Sequence, residues 1–432
     1  MAGRPPEDLA AAPDSGAVGA DRRLTDRTVG LALVVAGLVL LAWLLATVVP
    51  WHAVPGGRPR PVPVGDVFTA REIDRAEAWA RLGRLISWSS LAISLAVASW
   101  LGFTRRGTRL LGRARLPWWA QVMALTFLVT GIGQLATLPV TVMSWQQRTR
   151  VGLTDQSLAG ALRDEVVGFT YTVVVSAVAL LAIIGIARLL PRAWPAVVAV
   201  AGSVLVVASS YLWPLLVEPA FNHFTPLHDP ALERGIQQLA QREGVHVDEV
   251  LVADASRRTT TLNAYVSGFG DSRRVVLYDT LLRDLDRREV LTVVGHELAH
   301  AHHRDVEAGT VLGVGGTVVG VGLLALLLGA PGVRRRAGVT GIGDPRAVAL
   351  LLALSAWGTL ATMPLQNGVS RQFETRADVD ALKATGDPVA FVEMQRALAL
   401  TSLADPTPPA WSQWWFGSHP TVLQRIALAA QR

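Results

Sequence analysis

The stretch His296-Glu297-Leu298-Ala299-His300 sets two imidazoles four residues apart, with a carboxylate beside the first. On a helix, positions i and i+4 share a face, so both rings can converge on one metal ion. Glu297 projects about 100° away, where a carboxylate can hold a water and take its proton. The chemistry this spacing offers is metal-assisted hydrolysis of a peptide bond. The chain has no cysteine, so a zinc ion would be held by nitrogen and oxygen alone. Two imidazoles and a water leave one tetrahedral position to fill.

His303 lies about 10 Å along the helix axis from His296 at 1.5 Å per residue, too far to share its ion. His302 points to the opposite side. A metzincin continuation needs Gly at 303 and His at 306, whereas the chain has His303 and Val306, which excludes that class. What remains is a carboxylate from another helix. Glu374 stands in Ser370-Arg371-Gln372-Phe373-Glu374-Thr375-Arg376-Ala377-Asp378. Asp378, one turn later, can accept the spare ring N–H of a ligand histidine and fix its tautomer. Without the His-Glu pair, Glu374 and Asp378 would read as a solvated helix face with charges at i,i+4.

The elements that must position these groups are set by hydropathy. The chain is 51% hydrophobic and 17% charged, against about 25% charged for soluble proteins. Stretches without Asp, Glu, Lys or Arg recur at residues 29–50, 85–104, 116–145, 166–187, 193–217, 308–333 and 347–370. Each reaches the roughly 20 residues needed to cross a bilayer as a helix. Buried helices of a large soluble protein would not lack charge in seven such runs. Two crossings separate His300 from Glu374, so both end on one side, and the last two spans form a hairpin returning the chain to the metal.

The organisation expected is a disordered Pro, Ala and Asp-rich tail at 1–28, unlike a signal peptide, then five spans over 29–217. A soluble catalytic segment follows at 218–307, the hairpin at 308–370 and a mostly helical catalytic segment at 371–432, broken at 405–409. Within 218–307 the patterning predicts a helix at 231–243, strands at 250–253, 260–266 and 274–278, and a helix at 286–303. The formal charge of +6 is carried almost wholly by arginine, with Lys383 the only lysine. No Arg-aromatic array points to nucleic acid. Arginines are slightly more clustered on the side of the N-terminus, which by the positive-inside rule leans toward an external catalytic face.

The His-Glu helix and the Ser-Arg-x-x-Glu-x-x-Ala-Asp stretch, with their flanking spans, resemble the type I CAAX prenyl protease family of integral-membrane zinc metallopeptidases. Three further segments carry the likeness: residues 213–227, Asn263-Ala264-Tyr265 with Gly268-Phe269, and Gly417-Ser418-His419-Pro420 with Arg425 beyond. The resemblance implies a mainly α, multi-pass bundle of about seven spans. A small α+β, zincin-like domain of gluzincin type would lie between spans five and six, completed by the C-terminal helical segment. It implies one zinc ion per chain on His296, His300 and Glu374, with Glu297 as general base and later proton donor. His419 would stabilise the oxyanion, with Arg425 supporting it or gripping a substrate carbonyl. Asn263 and Ala264 would lie on an edge strand that pairs with an extended substrate.

Each role has a plainer counterpart: Pro420 as the first residue of a helix, and 263–264 as an ordinary hairpin strand. His303 is expected behind the metal ligands or in packing, and Trp411, Trp414 and Trp415 in an interfacial belt. The partners implied are the bilayer and peptide or protein substrates, membrane-associated or lipidated, with no nucleic acid. The family's catalytic face is cytoplasmic, opposite to the lean of the arginines. The rival function is a transporter or metal-binding receptor using the His cluster without proteolysis. Transporters usually carry ionisable residues within their spans, and these stretches have none.

Overall fold

The computed structural model describes residues 15–430 apart from 112–114, 217 and 269. Five helices come first: α1 (Ser15–Val48), α2 (Ala70–Gly102), α3 (Trp118–Val151), α4 (Leu158–Leu189) and α5 (Trp194–Leu216). The short α6 (Glu218–Phe221) leads to β1 (Phe224–Pro226), α7 (Pro230–Glu243), β2 (Glu249–Ala253), β3 (Ala264–Ser267) and β4 (Arg274–Tyr278). Then come α8 (Asp279–Asp284) and α9 (Arg287–His302), followed by α10 (Asp305–Gly329), α11 (Pro331–Ala337) and α12 (Val348–Thr385). The chain closes with α13 (Pro388–Ser402), α14 (Ala410–Phe416) and α15 (Val422–Ala429).

Seven of these helices, α1–α5, α10 and α12, are long and apolar enough to cross a membrane. The protein is a multi-pass helical bundle with a small sheet. Several boundaries differ from those the sequence predicts. Residues 15–28 are helical rather than a disordered tail, because extending an existing span costs far less than nucleating a helix and no proline stands between Pro13 and Pro50,. Residues 1–14 lie outside the described residues, as does Phe269 of the expected turn. Helices α2, α3 and α4 have 33, 34 and 32 residues, so each is about 50 Å long and outruns the roughly 30 Å of hydrocarbon. The extra turns of α2 begin at a Thr69–Glu72 capping box and dock on the C-terminal segment through Arg84–Asp405 at 2.7 Å and Arg396–Glu72 at 2.6 Å.

Small residues let the membrane helices approach. A Cβ added at Gly322 of α10 would sit 2.7 Å from the Gly30 carbonyl of α1. One added at Gly102 of α2 would lie 2.4 Å from Ala353 Cβ of α12. Such contacts replace the hydrophobic drive that lipid cannot supply. Helix α12 is continuous over 38 residues, about 57 Å,. It runs from the seventh candidate span straight into the catalytic segment, because no Gly or Pro falls between residue 370 and Gly386, which ends the helix with a left-handed φ of 64°.

The sheet has the order β1-β2-β4-β3, with β2 and β4 parallel and the other pairs antiparallel. Strand β1 carries no sequence signal, being three residues long with a proline. Strand β3 starts at 264 rather than 260 because the preceding residues are engaged elsewhere. Thr260 donates from its N–H to Leu153 O at 3.3 Å and from Oγ1 to Gly152 O at 2.8 Å. Beneath the sheet lies one core built from both sides of the hairpin. Leu232, Ile236, Val275, Val294 and Leu298 pack with Val379, Leu382, Phe391, Met394 and Leu428.

Candidate metal centre

Helix α9 starts at a capping box: Asp286 Oδ1 accepts from the Glu289 N–H at 2.9 Å, and Glu289 Oε2 accepts from the Asp286 N–H at 2.8 Å,. Val290, Val293, Val294 and Leu298 bury one face of it in the core. That fixes the rotation of the helix and presents His296 and His300 to α12. Their Nε2 atoms lie 3.2 Å apart. From α12, Glu374 brings Oε2 to 3.3 Å from His296 Nε2 and Oε1 to 3.5 Å from His300 Nε2. One donor atom from each of the three lies within 4.8 Å of the others.

The outer nitrogens explain why the inner ones converge. His296 Nδ1 is 3.0 Å from Asp378 Oδ1, and His300 Nδ1 is 2.8 Å from Asp305 Oδ2. A ring N–H donated to a carboxylate on the far side leaves the lone pair on Nε2. Two imidazole lone pairs and a carboxylate then face each other, an arrangement that repels unless a cation lies between. Glu374 Oε2 is buried and accepts no hydrogen bond. This donor set of two nitrogens and one oxygen fits a divalent metal ion.

Electrostatics agree. Burial works against a charged His296 ring, but Asp378 and Glu374 outweigh it and hold its pKa up to about 10. The pocket demands positive charge. Burial pushes the Glu297 carboxyl above the usual carboxylate range, against the pull of His296 and His300. Glu297 is half-buried on α9, next in sequence to His296.

Asp378 is fully buried, and Arg425 of α15 forks onto it, Nη2 to Oδ1 at 2.5 Å and Nε to Oδ2 at 2.8 Å. Arg425 therefore holds Asp378 behind His296, with Nη2 3.5 Å from the ring's Nδ1. His419 lies just before α15 with Nε2 3.4 Å from Glu374 Oε2 and its side chain 57% exposed. Asn263 is exposed and Ala264 buried where edge strand β3 begins. His303 follows His300 by three residues. Its Nε2 meets Asp380 Oδ2 of α12 at 2.8 Å.

Sequence reasoning missed Asp305 and Arg376, which pairs with it. Asp305 opens α10 immediately after Arg304, whose left-handed φ of 55° turns the chain out of α9. The question that finds it is where the second N–H of His300 goes.

Residues 226–432 match Peptidase family M48. Over 313 residues the chain is 28% identical to the uncharacterized metalloprotease YhfN of Bacillus subtilis, covering 71% of this chain and 72% of that protein. It is 41% identical over 98 residues to a CAAX prenyl protease 1 homolog of Dictyostelium discoideum, a match of 22% of this chain and 23% of that relative. The crystal structure of S. mikatae Ste24p has the same fold, with a TM-score of 0.76 at 20% sequence identity over 94% of this chain and 99% of that one. The paired imidazoles, the seven apolar helices and these matches together support a membrane metallopeptidase of the CAAX prenyl protease-like family, residues 226–432 being the part that matches Peptidase family M48.

Proposed function

We propose that this protein is a zinc metalloendopeptidase that cuts extended segments of membrane-associated or lipidated, CAAX-like proteins. The observation that carries this reading is the convergence of His296, His300 and Glu374, with a carboxylate behind each imidazole. Zinc held by these three residues supplies a Lewis acid that polarises a carbonyl and acidifies water. Glu297, made more basic by burial, takes a proton from the attacking water and passes it to the leaving amine. His419, exposed beside Glu374, donates to the carbonyl oxygen as negative charge grows there. The free edge of β3, beginning beside Asn263 and Ala264, holds the substrate backbone extended.

The test is zinc content measured beside chelator-sensitive proteolysis in detergent. Glu297→Gln should keep the metal and lose roughly 10²–10⁴-fold in turnover, the usual contribution of a general base. Glu374→Ala should lose both metal and activity. Wild-type protein that carries one zinc ion and cuts no extended peptide would sink the reading.

A further inference from the structure

Arg58 lies in the segment joining α1 to α2, and that segment runs along the catalytic half. Val54 enters its core, and the Val62 N–H donates to Leu423 O at 3.4 Å. Through Nη2, Arg58 donates to Gln372 Oε1 at 2.8 Å, Thr375 Oγ1 at 3.0 Å and Arg371 O at 3.4 Å. Arg371 uses Nη1 on the carbonyls of Gln413 at 3.2 Å and Gly417 at 2.5 Å. Arg84, Arg376, Arg396 and Arg425 all face carboxylates. Among the described residues neither Arg58 nor Arg371 does, although they are close enough for their charges to interact.

Two neighbouring cations with no carboxylate partner, one of them exposed, repel each other and are placed to take an anion. Their place is informative. Arg371 precedes Glu374 by three residues, on the same helical face and about 4.5 Å away along the axis. Gly417, which it grips, is two residues from His419. An extended peptide advances about 3.3 Å per residue, so the pair lies only a few residues along from the cut.

We propose that Arg58 and Arg371 bind a carboxylate of the substrate near the scissile bond, either its C-terminal carboxylate or an acidic side chain. This rests on the peptidase reading. A guanidinium presents its N–H groups in a fork that matches a carboxylate, and Arg58 retains Nε and Nη1 for one. The site then favours cleavage close to a free C-terminus or beside Asp or Glu.

Binding can be measured apart from turnover, on zinc-loaded Glu297→Gln protein in detergent with fluorescent extended peptides. One pair differs only in a free or amidated C-terminus. A second, amidated pair has Glu or Gln two to four residues from the cut. Charge-assisted hydrogen bonds predict about tenfold or more in Kd within one pair. The pair that shows it identifies the source of the carboxylate. Adding Arg58→Gln should bring that ratio toward one, and because the ratio is internal to each protein, general loss of fold does not imitate the effect. Ratios near one for both pairs in the Arg58 protein overturn the proposal. Cleavage of the amidated peptides by wild type reports on the peptidase reading separately.

Discussion

Two pairs of histidines sit within eight residues on α9 and at its end, and they behave differently. His296 and His300 aim Nε2 at one point, each braced by a carboxylate on Nδ1. His302 and His303 are adjacent, so they project about 100° apart. His302 Nδ1 meets the Glu243 carbonyl at 2.6 Å, while His303 binds Asp380, which Lys383 also holds at 2.7 Å. The second pair is as rich in donors but shares no focus. Histidine density does not make a metal centre. Spacing of four, with an anion behind each ring, gives two imidazoles a common focus.

That contrast can be broken most sharply at Arg425. Arg425→Ala leaves Asp378 buried with the His296 ring as its remaining partner, which should cost about 3–5 kcal/mol, read as a fall in unfolding temperature in detergent. A stable variant would mean that the bracing of His296 is dispensable. Asp305→Asn tests the brace on the other ring and should weaken zinc binding by about 10–100-fold in chelator competition. An unchanged affinity would reduce Asp305 to a partner of Arg376.

The pH dependence sharpens the same point. His296 is raised from 6.5 to about 10 by Asp378 and Glu374, against burial. In protein stripped of metal, the stability from its protonation is complete below 6.5 and is lost as pH rises toward 10. Zinc must displace that proton, so affinity should rise about tenfold per pH unit in the same window. Opposite slopes for stability and affinity are expected, and parallel slopes would refute the coupling. The smallest effect is expected at His303→Ala, with zinc affinity unchanged within about 0.5 kcal/mol, as for an independent site.

The features legible in the sequence are those governed by a local period or by counting crossings. Helical spacing pairs His296 with His300 and places Asp378 one turn from Glu374. Seven charge-free runs yield seven membrane helices. Partner choice between remote segments leaves no such trace. Nothing local tells that Arg425 turns to Asp378, that Arg376 holds Asp305, or that Arg58 reaches Thr375 across the first spans. Strand β1 exists only because β2 offers it an edge, and β3 begins late because Thr260 is tied to the end of α3. These are outcomes of tertiary packing, which outweighs short-range preference.

The lipid-crossing hairpin has a consequence for biogenesis. On this assignment both imidazole donors are made before the last two passes through lipid, and the oxygen donor only after them. A half-inserted chain therefore carries the cutting group without the means to hold its ion. On the same assignment the metal site is complete only when insertion is.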